Sequence, residues 1–321
     1  MADRAPPPSD PVGPVNDRPS PSSPPGAESP LGFELGEDGA AAIAAVARPR
    51  SSAAWAAGAA RALTRFGDLR QALFAPGALP CDARERLIVT SILLVVCFGG
   101  YYLLGLTQDP SRAATLNTAL DDAIPCVPLF MHAYVLVYTA LSFPLFVARC
   151  QRLFRRIAAG YGLVILGCLL VWAVYPVTAI GLRADVSALD MTRFEEWGLR
   201  VNYTLDPPMN LFPSLHMAIA LLAALGAWRA DRRVGACALV GAALVGVAIC
   251  TVKQHYLADA VGGAALALLA YVTFVRSYDP AGAAPEQVAF SWRGPAGYLA
   301  FHGTVLGGLY AAFLAGWEPW A

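Results

Sequence analysis

Two stretches hold residues able to do chemistry together: FPSLHMAI at 212–219, with Ser214 and His216, and KQHYLADAVGG at 253–263, with Lys253, His255 and Asp259. His255 and Asp259 stand four residues apart, and on a helix that spacing sets both side chains on one face. The carboxylate can then hold one imidazole nitrogen and fix the tautomer, leaving the other nitrogen free as a nucleophile or base. Pro213 suits the first turn of a helix, where its missing N–H costs nothing, so His216 lies within a turn of a helix N-terminus. Such an end draws anions through its free N–H groups and its dipole. A phosphate lodged there could accept a hydrogen bond from Ser214 and stand in line between His255, attacking phosphorus, and His216, protonating the leaving oxygen. Lys253 and Arg183 add positive charge suited to a phosphate rather than to a carbonyl. Phosphoryl transfer of this kind calls for no metal and no cofactor.

Each reactive segment opens onto a long apolar run. The chain of 321 residues is 57% hydrophobic and 14% charged, with a positive mean hydropathy, a balance foreign to soluble domains of this length. It reads as an all-α, polytopic membrane helix bundle. Apolar stretches of about 20 residues, enough to cross a bilayer, fall at 87–106, 126–148, 157–179, 211–228, 234–252 and 257–275, six core spans, with a seventh at 297–316 near the C-terminus. Twenty-three basic residues balance twenty-three acidic ones, so nothing points to nucleic acid. The seven cysteines show no CxxC spacing and mostly lie in or beside apolar runs, which suggests neither a disulfide framework nor a metal site.

Arginines in the short loops set the orientation. Arg84 and Arg86 before the first span, RCQRLFRR between the second and third, and RADRR after the fourth place those ends in the cytoplasm. The opposite loops, 107–125 and 181–210, are acidic and face the periplasm, lumen or exterior, in a bacterial inner membrane or a eukaryotic endomembrane. With that topology Arg183 ends the third span, Ser214 and His216 open the fourth, and Lys253, His255 and Asp259 sit between the fifth and sixth. All six meet on the non-cytoplasmic side. Around this 87–275 domain, residues 1–50 are a Pro/Ala-rich, disordered cytoplasmic tail. The 51–86 segment is either an amphipathic interfacial helix, with Trp55, Ala59, Leu63, Phe66, Leu69 and Leu73 at helical spacing, or a mobile alanine-rich linker. Residues 276–321 form a loop and the extra span.

Taken singly, these residues have plainer explanations. A histidine at a helix end is usually a satisfied interfacial residue, and a boundary lysine usually snorkels. His132 and His302, with no acid four residues on, are assigned to packing or interhelical hydrogen bonding. Yet ionisable groups near membrane depth are costly, and here they gather on one side. A transporter or structural protein using the histidines for a proton path is one rival. An intramembrane protease using Ser214 is another, but it lacks a Gly-x-Ser setting.

The two motifs resemble the type 2 phosphatidic acid phosphatase superfamily, whose pattern is PSxH followed by HxxxD. FPSLH and the HYLADAVGG run look most like the inositol phosphorylceramide synthase branch, and DDAIPCVP, from Asp121 to Pro128, is similar to the start of an early span there. The likeness covers about 110–275. It implies a membrane enzyme that cleaves a lipid phosphoester and passes the phosphoryl or head group to an alcohol or lipid acceptor, or to water. It implies His255 as the nucleophile forming a phosphohistidine, Asp259 orienting it, His216 as general acid and Ser214 holding a phosphate oxygen, with Asp121 and Asp122 in the acceptor or substrate region. Two departures stand out. Arg183 is followed by Ala184 rather than by proline, and the superfamily's Ser-Arg pair would fall at Ala248 and Ile249. Part of the usual phosphate cradle is missing, and Lys253 is the residue placed to supply the cation.

Overall fold

The structure, a computed structural model, describes residues 68–74, 79, 81–281, 283 and 285–321. The 1–50 tail lies outside the described residues, as does the 51–86 segment apart from a helical turn at 68–74 and a few residues after it. The described residues are 71% helical and include no strands. In order come α1 (Ala83–Thr107), α2 (Ala119–Ala123), α3 (Met131–Tyr134), α4 (Leu136–Ala140), α5 (Phe143–Val147), α6 (Gln151–Val174), α7 (Phe194–Leu205), α8 (Leu215–Ala230), α9 (Arg232–Thr251) and α10 (Leu257–Ala270). After a π-helical turn at Tyr271–Val275 and a short helix at Pro285–Val288 comes α11 (Arg293–Leu314).

Among the described residues five helices are long and apolar enough to cross a membrane: α1, α6, α9, α10 with its π-helical turn, and α11. They fit an integral membrane protein. The other two expected spans differ from continuous helices of that length. The 126–148 stretch is broken into α3, α4 and α5, with a 3-10 turn at Pro128–Phe130 before them. Pro144 has no N–H to give the carbonyl of Ala140, four residues back. The Tyr161 hydroxyl donates to that carbonyl instead, at 3.2 Å, so it is not left an orphan acceptor. The 211–228 stretch yields only the 16 residues of α8.

The third span also moves, to Gln151–Val174. Pro176 forces Tyr175 out of the helical region, at φ −137° and ψ 76°, which ends the helix early. Arg183 therefore lies in the loop after α6 rather than at its end. At the other end α6 begins inside the arginine run, because Arg155 forms a paired bridge to Glu85 of α1 at 2.6 Å. Arg156 donates to the carbonyl of Leu73 at 2.9 Å, and Arg86 donates to Gln151 at 2.7 Å.

At the centre α8 packs on α6, α9 and α10. Its C-terminus turns straight into α9 through Asp231, whose carboxylate accepts from the N–H groups of Arg233 and Val234 at 2.8 and 3.1 Å. Small residues let the helices close: Gly226 faces Ile157 and Gly160 faces Leu222 across the α6–α8 seam. At Gly263 of α10, a Cβ would run into the backbone carbonyl of Ser214. Gly263→Ala should therefore push α8 and α10 apart and destabilise the fold by about 1–3 kcal/mol. Gly303→Ala, with open space around it, should leave thermal unfolding in detergent unchanged; equal melting temperatures for the two variants would contradict this packing.

Candidate active site

Three elements meet at the reactive end of α8. The loop before it is fixed by Pro213, whose carbonyl accepts from the Trp172 indole at 3.3 Å. Ser214 is fully buried, and its hydroxyl caps α8 by accepting from the N–H of Met217 at 3.3 Å. Its own N–H donates to the backbone carbonyl of Asp259 at 3.0 Å, which stitches α8 to the first turn of α10.

The turn between α9 and α10 is just as tightly made. The N–H groups of Gln254 and His255 both reach the carbonyl of Ile249, at 3.0 Å each, around Lys253 in a left-handed conformation with φ 55°. The Lys253 ammonium donates to the carbonyl of Asp121 at 2.9 Å. The carboxylate of Asp121 in turn accepts from the N–H of Leu257, the first residue of α10, at 2.7 Å. Burial works against ionising Asp121, but hydrogen bonds from Thr118 and Leu257 and the Lys253 charge hold its carboxyl below the usual range. Asp122 takes a hydrogen bond from Asn117 at 2.7 Å. Among the described residues neither aspartate bonds to an imidazole, and Asp121 acts as a remote cap for α10.

These two constructions bring His216, His255 and Asp259 together. His255 Nδ1 lies 3.3 Å from Asp259 Oδ2, which also accepts from the N–H of Tyr256 at 2.8 Å. His255 Nε2 lies 3.0 Å from His216 Nδ1, with the ring centroids 5.1 Å apart. Asp259 is fully buried and His255 is 4% exposed. The remaining nitrogen of His216, Nε2, lies 2.9 Å from the hydroxyl of Tyr134.

Behind Tyr134 is a residue that sequence reading counts only as a loop charge. Asp206, at the C-terminal end of α7, accepts from Tyr134 at 3.4 Å and from Gln254 at 3.1 Å, and takes a very short hydrogen bond from Tyr101. Burial pushes its carboxyl up, against the pull of the Tyr101 hydrogen bond and the Arg183 charge. Arg183 is held by carbonyls of Tyr203 and Asp206 at 3.0 and 2.9 Å, by Gln254 at 2.9 Å, and by the Tyr203 ring at 4.9 Å. Among the described residues it makes no bond to either imidazole, and its hydrogen-bonded route to His216 runs through Gln254, Asp206 and Tyr134.

A cavity of about 280 Å³ opens beside His216. Its polar lining includes His216, Asn202 and Asp206, and its apolar walls come from α1 (Phe98, Tyr102), the α3–α4 stretch (Val135, Leu141), α7 (Trp197), α8 (Ile219) and α11 (Val305, Leu309). His132 also lines it. His302 bonds across helices to Thr139 at 3.0 Å, in keeping with the interhelical role read from the sequence.

A family model described as the PAP2 superfamily matches residues 111–273, just over half of the chain. No curated protein and no solved structure matches it. The matched segment includes His216, His255 and Asp259, as well as Tyr134 and Asp206, while α1 and α11 lie outside it.

Proposed function

Because this chain belongs to the PAP2 superfamily, and is on that ground a phosphatase-type membrane enzyme, we propose that it cleaves a lipid phosphoester through a phosphohistidine on His255. The observation that supports this most is the run of contacts from Asp259 through His255 to His216, at 3.3 and 3.0 Å. Asp259 holds Nδ1–H of His255, which leaves the Nε2 lone pair to attack phosphorus. His216, protonated at Nδ1, gives that proton to the leaving oxygen as the P–O bond breaks. In the second half, a water or alcohol attacks the phosphohistidine, His216 Nδ1 takes its proton, and Nε2 of His255 leaves. The two nitrogens must part to admit the phosphoryl group.

Ser214, Lys253 and Arg183 are the phosphate-binding candidates. Arg183 is committed on several sides, whereas Lys253 has only to release the carbonyl of Asp121 to turn its ammonium toward an anion. We place the site on the periplasmic, lumenal or extracellular side, with the N-terminus cytoplasmic, from the distribution of arginines. The cavity favours transfer over plain hydrolysis: apolar walls that end in polar groups at His216 suit a lipid alcohol, the acceptor of an inositol phosphorylceramide synthase-like reaction. Lipid phosphate hydrolysis is the alternative.

Purified protein incubated with lipids labelled with ³²P in the head group tests both points. Label on the protein should be lost in acid and kept in alkali. Adding a ceramide or diacylglycerol should divert label from water-soluble product into a new lipid. Acid-stable label on the protein would overturn the phosphohistidine; product unchanged by any added alcohol would leave hydrolysis as the activity.

A further inference from the structure

Each imidazole of the pair turns one nitrogen toward the other ring and has its outer nitrogen held by an oxygen. For His255 that oxygen belongs to Asp259; for His216 it is the Tyr134 hydroxyl, 2.9 Å away, which is itself 3.4 Å from the Asp206 carboxylate. Resting on the phosphoryl-transfer reading, we propose that Tyr134, backed by Asp206, is the positioning residue of His216. It keeps a proton on Nε2, so that Nδ1 is the nitrogen that exchanges protons with the reacting oxygens.

A tyrosine hydroxyl has one proton to give. If it goes to Asp206, the phenol oxygen is left to accept from His216 Nε2–H, and the proton on that ring is thereby fixed. Two features direct the hydroxyl proton that way. Asp206 lies among donors, with Tyr101 and Gln254 also aimed at its carboxylate. Tyr134 is fully buried, with no water-facing alternative. Both outer nitrogens then carry protons, and one further proton is shared across the 3.0 Å contact between the inner ones. When it sits on His216 Nδ1, His255 is a neutral nucleophile and His216 a charged acid, the pairing that the first half-reaction needs. The charge on His216 is offset by Asp206 through Tyr134, as the charge on His255 is offset by Asp259. No proton has to travel along Tyr134, because the one given to the leaving oxygen returns from the attacking water or alcohol.

Tyr134→Phe removes one oxygen from a buried ring, and Asp206→Asn removes a charge while keeping the shape. The chain has four histidines, so ¹⁵N-histidine labelling in detergent, assigned by His-to-Gln variants, reads His216 directly. Nε2 should carry a proton in the unaltered protein, whether or not Nδ1 carries one as well, and should lose part of it in Tyr134→Phe. An Nε2 without a proton from the outset, or no change at Nε2 in the variant, would overturn the proposal.

Kinetics supply the second readout. Both variants should turn over phosphatidic acid about 10- to 100-fold more slowly, the usual cost of losing an outer partner of a reactive histidine. In the first half-reaction with p-nitrophenyl phosphate, whose leaving group needs no acid, the burst of p-nitrophenolate should form in both variants within about threefold of its rate in the unaltered protein. Equal losses on the two esters would mark Tyr134 as structural and overturn the proposal. Should the unaltered protein cleave neither ester, the hydrolytic reading fails, and the nitrogen spectra still decide what Tyr134 holds.

Discussion

His255→Ala is expected to reduce phosphoester cleavage by at least about four orders of magnitude, the scale seen when a nucleophile acting within a linked set is removed. The reason is geometric. His255 Nε2 faces His216 Nδ1 at 3.0 Å, and its other nitrogen is held by Asp259, so no neighbouring nitrogen can take its place. His216 cannot substitute, because it would then have to attack and protonate in the same step. The variant should fold, since the backbone N–H of residue 255 still reaches the carbonyl of Ile249. The measurement is labelled product release alongside protein-bound label, with circular dichroism and a melting curve to show the fold intact. A folded variant that keeps more than about a hundredth of the activity would remove His255 as the nucleophile.

Asp259→Asn should cost about 10³- to 10⁴-fold in turnover with little change in substrate affinity, as expected when the partner that orients a reactive imidazole loses its charge. An amide can be seated in only two ways. With its NH₂ toward His255, it donates to Nδ1 and drives the ring proton onto Nε2, the nitrogen that must attack. With its oxygen there, both existing hydrogen bonds survive, but the NH₂ falls where Asp259 Oδ1 is buried without a partner, and an unsatisfied donor is added to a closed site. Neither arrangement offsets positive charge on His255. Steady-state kinetics on the purified variant decides the matter: a loss below about tenfold, or a loss carried by KM alone, would show that the carboxylate does not act through the imidazole.

The parts of this site that can be read along the chain are those set by helix periodicity. His255 and Asp259 four apart, and Ser214 at a helix cap two residues before His216, are local patterns, and local patterns survive folding. That the two motifs meet follows from their falling on the same side of the bundle. Tyr134 and Asp206 leave no such trace. One sits in an apolar run, where an aromatic reads as packing; the other sits in a charged loop, where an acid reads as solvated. Only the approach of α3, α7 and α8 makes them partners. The bent second span was within reach of sequence reasoning, since Pro128 and Pro144 are both in plain view, but the hydroxyl of Tyr161 that makes the break tolerable comes from another helix. Pro176 likewise signals the end of α6, and with it the placing of Arg183 in a loop.

One part of the wall of the cavity beside His216 comes from α1 and α11, outside residues 111–273, while the residues proposed to break and make the phosphoester bond all lie within them. Heredity can therefore treat the two as separate traits. Changes at Phe98, Tyr102, Val305 or Leu309 reshape what the chamber admits without disturbing a single proton of the reaction, so descendants of one ancestor can diverge in diet while sharing a digestive apparatus.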